Sequence, residues 1–164
     1  MSFVATHSQR LLKELKEIRE ELIGIVAQLK PEEFDWHPRP DMKSAKDLLK
    51  EIGAMEKICV NVAAGGPKLE WERAISWSGT DQDSMLKDLE SVRAETNRFL
   101  QSATEERLQK PISLPEAWHQ YFGPTVEAEE LVRWVARHEY YHVGQLITYR
   151  WLLGYNPYKQ GAPA

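Results

Sequence analysis

Leu131-Val132-Arg133-Trp134-Val135-Ala136-Arg137-His138-Glu139-Tyr140-Tyr141-His142-Val143-Gly144-Gln145-Leu146 is the stretch on which the fold turns. A helix advances about 100° per residue, so side chains three and four apart share a face. On that spacing Leu131, Val135, His138, His142, Leu146, Tyr149 and Leu153 form one stripe. The segment follows Gly123-Pro124-Thr125, carries Glu127, Glu129 and Glu130 in its first turn and stops at Gly154; acids first and glycine last both suit a helix. Two imidazoles therefore point where the leucines point. Four-residue spacing brings their ring nitrogens to neighbouring turns, close enough to grip one ion. A hydrogen-bonded pair of core histidines satisfies the same spacing.

Working outward, three more amphipathic segments accompany it. Val4, Leu11, Leu15, Ile18, Leu22, Ile25, Val26 and Leu29 predict a first helix closed by Pro31. Ser44, with Asp47 three residues on, predicts the N-cap of a second, which carries Leu48, Ile52, Met55, Ile58, Cys59 and Val62 as far as Gly65-Gly66-Pro67. A third starts near Thr80-Asp81-Gln82-Asp83, buries Met85, Leu89, Val92, Thr96, Phe99 and Leu100, and ends before Pro111. The connections 66–79, with Trp71 and Trp77, and 104–123, with Trp118, are long enough for crossed topology and aromatic enough to pack over a bundle end. No internal repeat or strand-like alternation is evident. The expected fold class is all-α: a four-helix bundle with long crossover connections, in one domain spanning 1–164.

Composition narrows the function. Hydrophobic residues make up 42% and charged residues 28% of the 164 residues, a globular balance, and no apolar run is long enough to span a membrane. The first residues show no basic region followed by an apolar run, so a soluble, cytoplasmic protein is expected. A net charge of -4 with mixed signs gives no basic footprint for nucleic acid. Cys59 is the only cysteine, so a metal would have to be held by histidine and carboxylate.

On the second helix, Glu51 falls inside the arc of Leu48, Ile52, Met55, Ile58 and Val62, whereas Glu56 lies off it. Glu51 is thus expected to be buried, either as a metal ligand, in an ion pair with Arg93 or Arg133, or as a protonated carboxyl. His7 near the terminus, His37 before Pro38 and His119 before Pro124 read as partly exposed or loop residues.

His138-Glu139-Tyr140-Tyr141-His142 matches the zinc-peptidase pattern His-Glu-x-x-His. No His, Asp, Glu or Cys follows His142 to supply a downstream third ligand, and no edge strand is expected to hold a peptide. The di-iron element Glu-x-x-His occurs at Glu139–His142 and again at Glu116–His119, but the second copy is confined between Pro115 and Gly123-Pro124.

Three segments carry a family resemblance. Asp35-Trp36-His37-Pro38 resembles a Trp-x-Pro lead-in to the second helix. Ser44-Ala45-Lys46-Asp47-Leu48-Leu49-Lys50-Glu51-Ile52 resembles Ser-x-x-x-Leu-Leu-x-His-Leu, and His138-Glu139-Tyr140-Tyr141-His142-Val143-Gly144-Gln145 resembles a closing His-x-x-x-His-x-Gly-Gln. Together they look like the DinB-like bundle proteins, relatives of metal-dependent bacterial thiol transferases such as those using bacillithiol. The resemblance implies a four-helix bundle with a crossed connection, often a homodimer, and a metal triad at position 51, His138 and His142. This chain departs from the family by carrying Glu51 where histidine is usual. Either the site has become two histidines and a carboxylate, a ligand set used for zinc and iron, or the metal has been lost.

Two functions are therefore expected to compete. In one, a divalent ion (zinc, iron, nickel or manganese) activates a low-molecular-weight thiol or water against a small electrophilic substrate. Glu139 is then the candidate catalytic residue, orienting a ligand or moving a proton unless it simply pairs with Arg137 or a neighbouring helix, and Gln145 is the candidate partner of a ligating imidazole. In the other, the chain is a non-catalytic, stress-related binding or dimerisation module with a degenerate site.

Overall fold

The computed structural model describes residues 6–159. In chain order its elements are α1 (His7–Val26), α2 (Pro31–Phe34), α3 (Ala45–Ala63), a 3-10 turn (Trp71–Arg73), α4 (Gln82–Ser102), α5 (Glu105–Gln109), β1 (Pro111–Ser113), a second 3-10 turn (Glu116–Trp118), α6 (His119–Phe122), β2 (Thr125–Glu127) and α7 (Ala128–Leu152). The architecture is all-α, with α1, α3, α4 and α7 as the bundle. α7 packs against both α1 and α3, and α4 closes the ring from the other side against the same two helices. The long helices that follow one another first in the chain, α1 and α3, therefore occupy opposite corners, a crossed arrangement that the long connections permit. Among the described residues, no helix is long and apolar enough to cross a membrane.

Local chemistry accounts for the ends. Thr6 caps α1 and accepts from the Gln9 N–H at 3.2 Å. Ser44 caps α3 as its spacing predicts: its hydroxyl accepts from the Asp47 N–H at 3.2 Å, and the Asp47 carboxylate accepts from the Ser44 N–H at 3.4 Å. Gly154, at φ +84°, supplies the left-handed residue beyond α7.

The predicted boundaries shift in three places. α1 ends at Val26, and Pro31, instead of only closing it, opens the short α2 at the position where a missing N–H costs nothing. Val4 lies outside the described residues. The third helix stops at Ser102, and Thr104 caps a separate α5, its hydroxyl accepting from Arg107 N–H at 3.1 Å. A small antiparallel ribbon also pairs Ile112 with Val126, although no strand was expected. Three residues per strand are too few to show an alternation of period two.

Two large apolar clusters, with a charged layer between them, dominate the core, and Ala54, Ile58 and Ala74 form a small third one. Of the two large clusters, one gathers Leu11, Leu15, Cys59, Leu100, Leu131 and Val135, and the other Leu22, Leu48, Ile52, Met85, Leu89 and Leu146. Between them, each long helix contributes one buried charge: Arg19, Glu56, Arg93 and Glu139. Arg19 forks onto Glu139 through Nε (2.6 Å) and Nη2 (3.2 Å) and also donates to Glu56 Oε2 at 2.8 Å. Arg93 forks onto Glu56 at 2.6 and 3.2 Å and pairs with Glu139. Thr96 Oγ1 donates to Glu56 at 2.7 Å, while the remaining guanidinium nitrogens donate to the Leu89 and Leu15 carbonyls. Two cations and two anions, each multiply hydrogen-bonded, satisfy the condition under which charge can be buried at all. Burial alone pushes the Glu56 carboxyl up, but Arg93 and Arg19 outweigh it and hold the group below the usual glutamate range.

This layer corrects the reading of α3. Glu56, expected off the buried arc, is fully enclosed, whereas Glu51 keeps 22% of its side chain accessible at the edge. α3 is covered by both α4 and α7, so its buried arc is wider than the stripe from Leu48 to Val62. Glu56 shares the opposite flank of that arc with Ile52, Cys59, Val60 and Ala63, all buried.

Candidate metal centre

Glu51 from α3 and His138 and His142 from α7 converge at the seam between these helices. The two imidazole Nε2 atoms are 3.1 Å apart. Glu51 Oε1 is 3.7 Å from His138 Nε2, and Oε2 is 3.9 Å from His142 Nε2. Ligand atoms around a tetrahedral zinc, with bonds of about 2.0–2.2 Å, are separated by about 3.3 Å. Among the described residues these three form the group of histidine and acid side chains close enough to share an ion, with ligand atoms all within 4.8 Å of one another.

The surroundings fix the orientation of both imidazoles. Gln145 donates through Nε2 to the Tyr141 oxygen at 3.3 Å, which turns its Oε1 toward His142 Nδ1 at 2.6 Å. His142 thus donates from Nδ1 and keeps the lone pair on Nε2, the atom facing the triad. His138 is stacked on Trp134, with ring centroids 4.9 Å apart and planes 21° from parallel. Burial, reinforced by His142, pulls the His138 pKa down to about 4 against the opposing pull of Glu51. Burial raises the Glu51 carboxyl, but the Lys43 hydrogen bond and the charges of His142, Lys43 and His138 carry it below its usual range. One carboxylate and two imidazoles make a donor set that fits a zinc-type or iron-type ion. Substituting Gln145 by alanine is expected to weaken zinc binding about 10- to 100-fold, read by competition with a chromophoric chelator.

The start of α3 is tied to α7 beside the triad. The Tyr149 hydroxyl donates to the Lys43 carbonyl at 2.8 Å, and its ring meets Trp36 edge-on at 6.0 Å. Trp36, from the Trp-x-Pro lead-in, thus helps fix the turn that delivers Lys43 and Glu51. Lys43 itself forms an ion pair with Glu51, a contact no helical spacing predicts because it arises from a turn eight residues upstream.

The other candidates lie elsewhere. Glu139 belongs to the buried charged layer: one residue beyond His138, it is turned about 100° away, toward α1 and α4. It pairs with Arg19 and Arg93, while Arg137 pairs with Glu130 at 2.5 Å. Arg93 is committed to Glu56 and Glu139, and Arg133 lies 3.8 Å from Glu129, so neither expected ion-pair partner reaches Glu51. His7 meets Glu129 at 2.5 Å, His37 the Met42 carbonyl at 2.7 Å, and His119 the Leu114 carbonyl at 3.1 Å. Trp134, stacked on His138, was not singled out from sequence, although its four-residue spacing from that histidine was visible.

The fold and the sequence pattern converge on a family. The sequence pattern of the DinB superfamily matches residues 14–146, and the chain belongs to that superfamily. No curated protein matches it in sequence. The crystal structure of a DinB-like protein from Bacillus subtilis is similar, with TM-score 0.71 at 20% identity over 89% of this chain and 93% of that one. A conserved protein from Enterococcus faecalis is also similar, with TM-score 0.71 at 18% identity over 92% of this chain and 99% of that one. At these identities the likeness is one of fold.

Proposed function

We propose that this protein binds one divalent metal ion (zinc, iron, nickel or manganese) through Glu51, His138 and His142 and uses it to act on a small molecule, as a thiol transferase or a hydrolase. The observation that carries this reading is the convergence of two imidazole Nε2 atoms and a carboxylate, from separate helices, within ligand distance of one another. Three protein ligands leave coordination positions open, and an ion held there lowers the pKa of a thiol or water that enters them. The chain's own residues perform the rest. Gln145 holds His142 in the ligating tautomer, Trp134 fixes the plane of His138, and Lys43 balances the Glu51 charge.

The zinc-peptidase reading of His138-Glu139-x-x-His142 finds no support. Its glutamate would have to face water beside the metal, whereas Glu139 is 1% exposed and held by two arginines. The test of the proposal is elemental analysis of protein purified without chelator or metal-affinity tag. Close to one equivalent of a divalent transition metal per chain is expected. Absence of metal, even after incubation with zinc, iron, nickel and manganese salts, would leave a non-catalytic binding module as the better account.

A further inference from the structure

A cavity of about 310 Å³ lies beside the triad, and Glu51, His142 and Gln145 are part of its lining. That volume is at the small end of small-molecule sites, roughly 300–1,000 Å³. Met42, Leu48 and the Tyr141 ring give it apolar walls, and its charged lining consists of Asp41, Lys43 and Glu51. Asp41 is turned to Arg39 at 3.2 Å, which leaves Lys43 and Glu51 as the charges nearest the imidazoles.

The charge balance of this cavity depends on the ion. Without one, Lys43 and Glu51 balance each other, Asp41 being paired with Arg39. A divalent ion would make the lining net positive. The Lys43 ammonium touches the same carboxylate that faces both imidazoles, so it stands within one small ligand's reach of the ligand atoms. A side chain of this kind, 54% accessible, can bond Glu51 and an incoming anion together, because an ammonium has three donors. We infer that the loaded cavity selects a small carboxylate-bearing molecule, its carboxylate bound by Lys43 beside the ion and its apolar body lying against Met42 and Tyr141. This rests on the metal-centre reading given above, and it supplies the substrate class that the triad leaves open.

Benzoate is the probe and benzamide its neutral counterpart of the same shape, titrated calorimetrically into zinc-loaded and metal-free protein. Benzoate is expected to bind only the zinc-loaded form and to bind it more tightly than benzamide. Lys43→Met, loaded with one equivalent of zinc before the titration, is expected to bind benzoate about tenfold or more weakly than the loaded wild type. The inference alone is overturned if zinc is taken up but benzoate does not bind, binds the metal-free form as well, is matched by benzamide, or is held as tightly by Lys43→Met. If the wild-type protein takes up no zinc, the metal-centre reading fails, and this inference with it.

Discussion

Glu56→Ala is expected to destabilise the bundle by about 3–5 kcal/mol, because it leaves two arginines inside the core facing a single carboxylate. For a chain of this length that corresponds to a fall in melting temperature of about 10 °C or more. The loss should far exceed that of Glu51→Ala, whose ion pair with Lys43 is partly solvated and contributes about 0–1 kcal/mol. Thermal unfolding followed by circular dichroism separates the two. Equal shifts would mean that the charged layer contributes no more than a surface pair. The same carboxylate gives stability a definite dependence on acid. Its pKa is lower in the folded than in the unfolded chain, so its contribution is complete above the usual glutamate value of about 4.3 and is lost as pH falls through the folded value. Glu56→Gln should therefore be less stable at neutral pH and flatter in its response to acid.

His142→Ala and Glu51→Ala are each expected to lower zinc affinity by at least about 100-fold, more than the loss of a supporting hydrogen bond, which costs about 10- to 100-fold. His142 supplies the best-oriented lone pair, since Gln145 fixes its tautomer, and Glu51 supplies the triad's negative charge. Both variants should retain the helical signal of the wild type, since the charged layer and both large apolar clusters are untouched. Affinity within a few-fold of the wild type for either variant would remove that residue from the ligand set. Glu139→Gln offers the complementary case. It should report mainly in stability, because its carboxylate faces Arg19 and Arg93, away from the imidazoles.

The sequence made the bundle legible because its periods are long. Leu11 to Val26 and Leu131 to Tyr149 repeat for several turns, and Ser44 with Asp47 marks a helix start by a local mechanism. The three-residue ribbon and the break at Ser102 were not legible, since neither lasts long enough to establish a period. In the site, two histidines four apart on an apolar stripe were readable from helix geometry alone. The acids were harder. A face calculation treats a helix as having one buried side, and α3 has neighbours on two, so Glu51 was placed too deep and Glu56 too far out. Arg19 left a signal that went unused: it lies four residues beyond Leu15 and three before Leu22, on a face otherwise apolar. Glu139, about 60° from His142 by helix geometry, suits either a role beside a ligand or an ion pair with Arg137 or a neighbouring helix, and it pairs with the neighbouring helices through Arg19 and Arg93. One residue along a helix is a quarter-turn and more, which is enough to put it in a different compartment.

The four charges of the buried layer also act as a lock against sliding. Any one long helix displaced along its axis by a single turn, about 5.4 Å, would strand its own charge in a hydrocarbon layer and leave its partners unmatched. Glu139 immediately follows His138, and Glu56 lies five residues beyond Glu51, so the pairs that forbid this shear also set the heights at which α3 and α7 present Glu51, His138 and His142. The relative placement of Glu51, His138 and His142 at the seam is thus tied to electrostatics in the middle of the protein.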